Sequence, residues 1–194
     1  METLTFVAGT AMLDADKTRM AALLFSTSHL EYCSFSNKLN LPLVPLQRRQ
    51  NIDPYLAQIT GLFDDQKNFT GFFTAATLTE FSSVEAVSYY RDEMKAMDAA
   101  YDEFIGQHAT ADDFMVASLA VEERHRGKGI FNCMLQEIKR MARCKGSKRI
   151  VLTVWEQNDA LHIYLKKGFR VGATFDYAQA LFFEKLHLLQ YDLA

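Results

Sequence analysis

At 194 residues, with 49% apolar and 23% charged side chains, the chain has ordinary globular composition and enough apolar mass for one sizeable core, so a single domain over 1–194 is expected. A formal net charge of −3 argues against nucleic acid or an anionic membrane as partner and mildly favours cationic or neutral ligands. The three cysteines, Cys33, Cys133 and Cys144, have no C-x-x-C spacing, no basic leader precedes an apolar stretch, and no apolar run approaches the ~18 residues that span a bilayer. A cytoplasmic protein without a structural metal is the expectation.

Residues 4–8 alternate apolar and polar and precede Gly9, which predicts a first strand. Asp14 is placed to cap a helix over 15–33, whose face is marked by Met20, Leu23, Leu24, Thr27 and Leu30. The segment 34–54 carries all three prolines (Pro42, Pro45, Pro54) with Arg48 and Arg49, shows no period, and reads as loop with a short helix. Two β-prone runs, 57–63 and 69–78, flank the turn residues 64–68 and predict a hairpin. Ser82 with Glu85 makes a capping-box signature, after which Val84, Val87, Tyr90, Met94, Met97, Tyr101 and Phe104 predict a long amphipathic helix to Gly106.

The run 115–121 is apolar and ends in a basic, glycine-punctuated turn, Arg124-His125-Arg126-Gly127-Lys128-Gly129, that opens a helix over about 128–145. Ile130, Met134, Leu135, Ile138, Met141 and Ala142 mark its buried side. Lys139, Arg140, Arg143 and Lys145 sit near its C-terminus, and Gly146 is placed to stop it. Residues 149–155 read as a buried strand parallel to 115–121 across that helical crossover. A short helix over 159–167 ends at Gly168, and 170–177 with 182–191 read as two last antiparallel strands, a helix at 179–189 being the alternative. The order of elements is that of an α+β fold with a mixed sheet.

Strand, glycine turn and helix N-terminus together favour an anion, because glycine backbones admit close approach and the first N–H groups of a helix lack internal partners. The turn matches neither G-x-x-x-x-G-K-[ST] nor the three-glycine dinucleotide fingerprint. It does match R-x-x-G-x-G, and about thirty residues on, N-D-A-L-H-I-Y-L-K-K-G-F spans 158–169. The two motifs, in this order and with one helix and one strand between them, resemble the two halves of the cofactor site of the GCN5-related N-acetyltransferase (GNAT) superfamily. The motif-bearing resemblance covers roughly 115–175, and the long helix before it would be an elaboration, since members often have a short loop there.

The resemblance implies a central, mostly antiparallel mixed sheet flanked by helices, in which the parallel pair splays so that the pantetheine arm of acetyl-CoA lies between them. Backbone groups of Leu119, Ala120 and Val121 would pair with its amides. The turn from Arg124 through His125, Arg126, Gly127, Lys128, Gly129 and Ile130 would hold the pyrophosphate, and Asn158 would bond the arm. It further implies direct attack of a primary amine on the thioester through a tetrahedral oxyanion, with Tyr164 as general acid and a donor near Leu119 or Ala120 worth roughly 3–4 kcal/mol. An alkylamine with reference pKa about 10.4 is neutral in roughly one molecule per thousand at pH 7, so a base or water chain is needed. Glu156 is the leading candidate, with Asp112, Asp113, Glu122 and Glu123 behind it. Ser118 has no histidine at a recognisable spacing to activate it as a nucleophile.

Two departures stand out: Glu123 where many members have Pro, and Phe131 where Gly or Ala is common. A non-catalytic acyl-CoA-binding or regulatory module of the same fold is the alternative function, and a generic nucleotide-binding domain is disfavoured by the missing motifs. The acceptor, a small molecule or a peptide, and the oligomeric state, monomer or homodimer, carry no sequence signal.

Overall fold

The computed structural model describes residues 4–28, 44, 47–85, 91–176 and 184–193, with 91–98 as backbone only. Seven strands form one mixed sheet in the order β1-β2-β3-β4-β5-β7-β6. They are β1 (Thr5–Ala8), β2 (Ile59–Phe63), β3 (Phe69–Thr77), β4 (Phe114–Val121), β5 (Arg149–Trp155), β6 (Arg170–Phe175) and β7 (Leu186–Asp192). The helices are α1 (Asp14–Thr27), α2 (Leu78–Ser82), α3 (Arg91–His108), α4 (Ile130–Cys144) and α5 (Ala160–Lys166). Among the described strands, β4 and β5 alone pair in parallel, and every other neighbour is antiparallel. This is the α+β mixed sheet with a splayed parallel pair that the sequence led us to expect.

Helix α4 covers one face of the sheet. Its Ile130, Met134, Leu135, Ile138 and Ala142 pack on Phe73, Phe114, Val116, Ile150 and Leu152, with Leu161 of α5 beside them. Burying each such aliphatic side chain contributes about 1.5–3 kcal/mol, which fixes the helix that carries the glycine turn at its N-terminus. On the opposite face Met20 and Ala21 of α1 pack on Phe63, Phe72 and Ala120, while Phe104 and Ile105 of α3 pack on Met115, Val151 and Leu188. The sheet is therefore covered on both sides.

Several boundaries differ from the sequence reading. Asp14 is the first residue of α1 and not its cap; Leu13 stands at the cap without a side-chain hydrogen bond. The capping box lies one helix earlier, where Thr77 Oγ1 accepts from the Glu80 N–H and Glu80 accepts from the Thr77 N–H, so Ser82 ends the short α2. Thr77-x-x-Glu80 carries the same signature as Ser82-x-x-Glu85, and the hydrophobic stripe following the second drew the expectation to it. The long helix α3 runs past Gly106 to His108. Its expected face at Val87, Tyr90, Met94 and Met97 lies outside the described side chains, as does most of the 34–54 segment, of which two single 3₁₀ turns are described, Arg49–Asn51 and Asp53–Tyr55. A helix over 179–189 is excluded by β7, which inserts between β5 and β6.

Candidate active site

The site begins with a register change. Along β3 and β4, Thr74 faces Ser118 and Ala75 faces Val116, so Ala117 is an extra residue in β4. The bulge resets the alternation: Met115 packs toward α3 and Val116 toward α4, whereas beyond it Leu119 and Val121 lie against the α4 core and Ala120 against the α1 core. Pairing of β4 with β5 is confined to Phe114↔Ile150, Met115↔Val151 and Val116↔Leu152, and stops where the bulge begins. From Ala117 to Val121 the β5-facing edge of β4 carries no ladder bonds from β5, although both strands continue. Such an edge satisfies an extended ligand that carries amides.

Beyond Val121 the chain makes a single 3₁₀ turn, Glu123–His125, before α4. Within it the His125 N–H donates to Glu122 O and the Arg126 N–H to Glu123 O. The next five N–H groups, Gly127 to Phe131, have no partner among the described residues, while Asn132 and Cys133 turn back to Gly129 O. Gly127 and Gly129 have φ of +75° and +81°, and a Cβ on either would meet nothing within 4 Å. Open space therefore lies over a run of free donors at the positive end of a 15-residue helix, which suits a pyrophosphate.

The charged side chains around this run are arranged unequally. Glu122 accepts from Arg19 of α1 at 2.5 Å and from Arg124 Nε at 3.0 Å, which ties the loop to α1. Arg126 Nε donates to Val121 O at 3.2 Å, and Lys128 is exposed. The Arg19 guanidinium also lies over the Phe69 ring, 5.5 Å from its centre. A groove of about 540 Å³ runs between Leu23 and the Glu122–Arg124 segment. His125 is enclosed beneath the loop, and neither ring nitrogen has a hydrogen-bond partner among the described residues.

Across the gap, Asn158 Oδ1 accepts from the Ala160 N–H at 2.9 Å, so its carbonyl oxygen helps start α5 while its amide N–H groups have no partner among the described residues. Tyr164 stands on α5 with its ring between Phe131 and Phe169, each centroid 5.7 Å away at 64° and 62°. Burial pushes its phenol up to about 12. Its Oη makes no hydrogen bond among the described residues and is not among the enclosed unpartnered atoms. Glu156 is exposed just past β5, held there by its N–H donating to Lys185 O at 2.9 Å. Asp113 is committed to Arg149 at the other end of the strands, and Ser118 Oγ donates to Thr74 Oγ1 at 2.7 Å.

Sequence reasoning missed the bulge at Ala117 and the free N–H of Phe131. The signal for the first was faint: Ala117-Ser118 interrupts a run of larger apolar residues with two small ones. Among the described residues no group of three His, Cys, Asp or Glu could hold a metal ion, and no helix is long and apolar enough to cross a membrane.

A family model for the acetyltransferase (GNAT) domain matches residues 62–178, which spans β3, both site motifs and β6. Among solved structures, the C-terminal condensation domain of Ebony in complex with beta-alanyl-dopamine superposes with a TM-score of 0.67 at 11% identity, covering 99% of this chain and 100% of that one. A structure described as an acetyltransferase gives 0.62 at 17%, covering 98% and 100%. The paia N-acetyltransferase of Thermoplasma acidophilum, in complex with coenzyme A, gives 0.61 at 12%, covering 98% and 99%. At these identities the likeness is one of fold. No curated protein matches the chain by sequence.

Proposed function

The chain belongs to the GNAT acetyltransferase domain family, and from that premise we propose that it acts as one domain over 1–194 to transfer the acetyl group of acetyl-CoA to a primary amine by direct attack. One observation carries this reading: β4 leaves β5 after Val116, and its unpaired edge leads through Val121 into the turn whose N–H groups, Gly127 to Phe131, have no partner among the described residues. An unpaired strand edge next to an anion-binding helix start fits a ligand with an extended amide arm and a pyrophosphate. The residues present therefore suit coenzyme A, which when bound supplies the acetyl thioester.

The chain's own residues divide the remaining work. Gly127, Lys128, Gly129 and Ile130 bind the phosphates, with Arg124, His125 and Arg126 shaping the turn below them. Leu119, Ala120 and Val121 orient the arm through their backbone groups, and the amide of Asn158 donates from the facing side. Tyr164 holds a proton at Oη, and with its phenol at about 12 it stays neutral at any physiological pH, a donor for the sulfur that departs. Glu156, exposed past the end of β5, takes the ammonium proton directly or through water. The acceptor is a small molecule or a peptide amine, and the fold does not choose between them.

Titration calorimetry with acetyl-CoA, against NAD and ATP as controls, tests the binding half. Selective binding abolished by bulky residues at 127 and 129 is expected; failure of acetyl-CoA and longer acyl-CoAs alike would overturn the reading. An amine screen with Tyr164→Phe tests the chemistry. Indifference to that substitution would point instead to a non-catalytic acyl-CoA-binding module.

A further inference from the structure

The first turn of α4 carries a phenylalanine where the resembled motif commonly has a small residue, and the structure gives that ring a specific neighbour. Phe131 is half-buried, its ring lies edge-on to Tyr164 at 5.7 Å and 64°, and Phe169 closes the other side of the Tyr164 ring at 5.7 Å and 62°. The two clamping rings differ in origin. Phe169 is 4% exposed, follows Gly168 at the end of α5, and is tied back by its own N–H donating to Tyr164 O at 3.2 Å. Phe131 comes from a different element, the one that presents the free N–H groups.

We propose that Phe131 is a positioning residue for Tyr164: its ring fills the space between the start of α4 and α5, fixes the plane of the phenol, and keeps water off its flank while leaving Oη open. The inference rests on the assignment of Tyr164 as the acid, but its test does not need turnover. A Tyr ring on a helix surface has two soft dihedrals, and a phenol held on one side only swings out toward water. Edge-to-face contacts of this kind hold a ring more firmly than its buried area alone accounts for. A small residue at 131 would leave the Phe169 contact intact and open the α4 side to solvent.

This predicts a change in proton affinity, not only in rate. The ordinary phenol titrates at 10.0, and burial raises that of Tyr164 to about 12. If Phe131 supplies much of the enclosure, removing its ring lowers the midpoint.

The experiment is spectrophotometric titration of phenolate absorbance, with Tyr164→Phe used as the difference reference in each background. Phe131→Ala is expected to lower the Tyr164 midpoint by about one pH unit or more. Phe131→Leu, which keeps apolar bulk, is expected to retain most of the elevation. Phe131→Val should fall between them, and serves in place of Ala should that variant not fold. An unchanged midpoint in a natively folded Ala or Val variant overturns the proposal. Where an accepted amine is in hand, Phe131→Ala should lower kcat about tenfold while leaving KM for acetyl-CoA within twofold. A raised KM at constant kcat would overturn it by making the Phe131 ring a cofactor contact instead. Failure of acetyl-CoA to bind would sink the acyltransferase reading and leave the titration arm standing as a test of its own.

Discussion

Asp113 and Arg149 meet one residue before the first rung of the parallel pair, with Arg149 Nε donating to Asp113 Oδ1 at 3.0 Å and Nη2 donating to Oδ2. The forked contact fixes where β4 and β5 start together, and the bulge at Ala117 ends their pairing three rungs later. The opening that would hold the ligand is thus set from its closed end. Burial alone would push the Asp113 carboxyl up, but Arg149 and the Thr110 N–H outweigh it and hold the group below its usual value.

Arg149→Met should therefore destabilise the fold by about 3 kcal/mol, because it strands a buried carboxylate. This is the low end for breaking such a pair, since Arg149 keeps 24% of its side chain in water. Urea denaturation at neutral pH measures it. A depressed carboxyl contributes stability above its unfolded value and loses it as pH falls through the folded value. Wild type should weaken below pH about 4, and Asp113→Asn should flatten that slope while lowering stability at pH 7.

Gly129→Val should separate folding from binding. With φ at +81° and nothing within 4 Å of the added Cβ, the cost is backbone strain of about 1–2 kcal/mol, not a clash. The side chain would stand over the free N–H groups. Circular dichroism should show a folded protein, and calorimetry should show at least a hundredfold loss of acetyl-CoA affinity.

Tyr164 makes an alkaline prediction whose sign is fixed. Below pH 10 the phenol is neutral folded and unfolded; between 10 and about 12 the unfolded chain releases the proton while the native state retains it. Native stability contributed by this group is lost as pH rises through that window. Comparing urea midpoints at pH 9 and pH 11.5, wild type should drop further than Tyr164→Phe.

Deleting Ala117 should remove the extra residue from β4 and let the ladder to β5 extend. Ser118 already faces Thr74, so the side chains beyond it would keep their faces, Leu119 and Val121 toward α4 and Ala120 toward α1. Loss of acetyl-CoA binding with the fold retained is expected, whereas Ala117→Gly should keep both binding and melting temperature nearly unchanged.

Much of this architecture could be read from residue order. The glycine turn, the buried strand after it and the Asn158-to-Phe169 segment each carry local chemistry that survives without the rest of the chain. What could not be read depends on partners far away in sequence. The capping box belonged to Thr77 because β3 ends there, and Ser82 carried an equally good pattern four residues past the point where a helix had already started. The bulge is invisible for the same reason: Ala117 is extra only relative to Thr74 and Ala75, forty residues earlier. Likewise, the enclosure of the Tyr164 ring comes from Phe131 and Phe169, on either side of it in the chain, and no spacing rule announces it.

The placement of β7 between β5 and β6 has a consequence for biosynthesis. Until Leu186 to Asp192 has been translated, β5 has no antiparallel neighbour, and on its other side it pairs with β4 over only three residues. The nascent chain therefore carries β5 with one backbone edge unpaired at the centre of the sheet until β7 arrives to pair it. Chains cut before Leu186 should expose that edge to other chains and aggregate more readily than chains that carry β7.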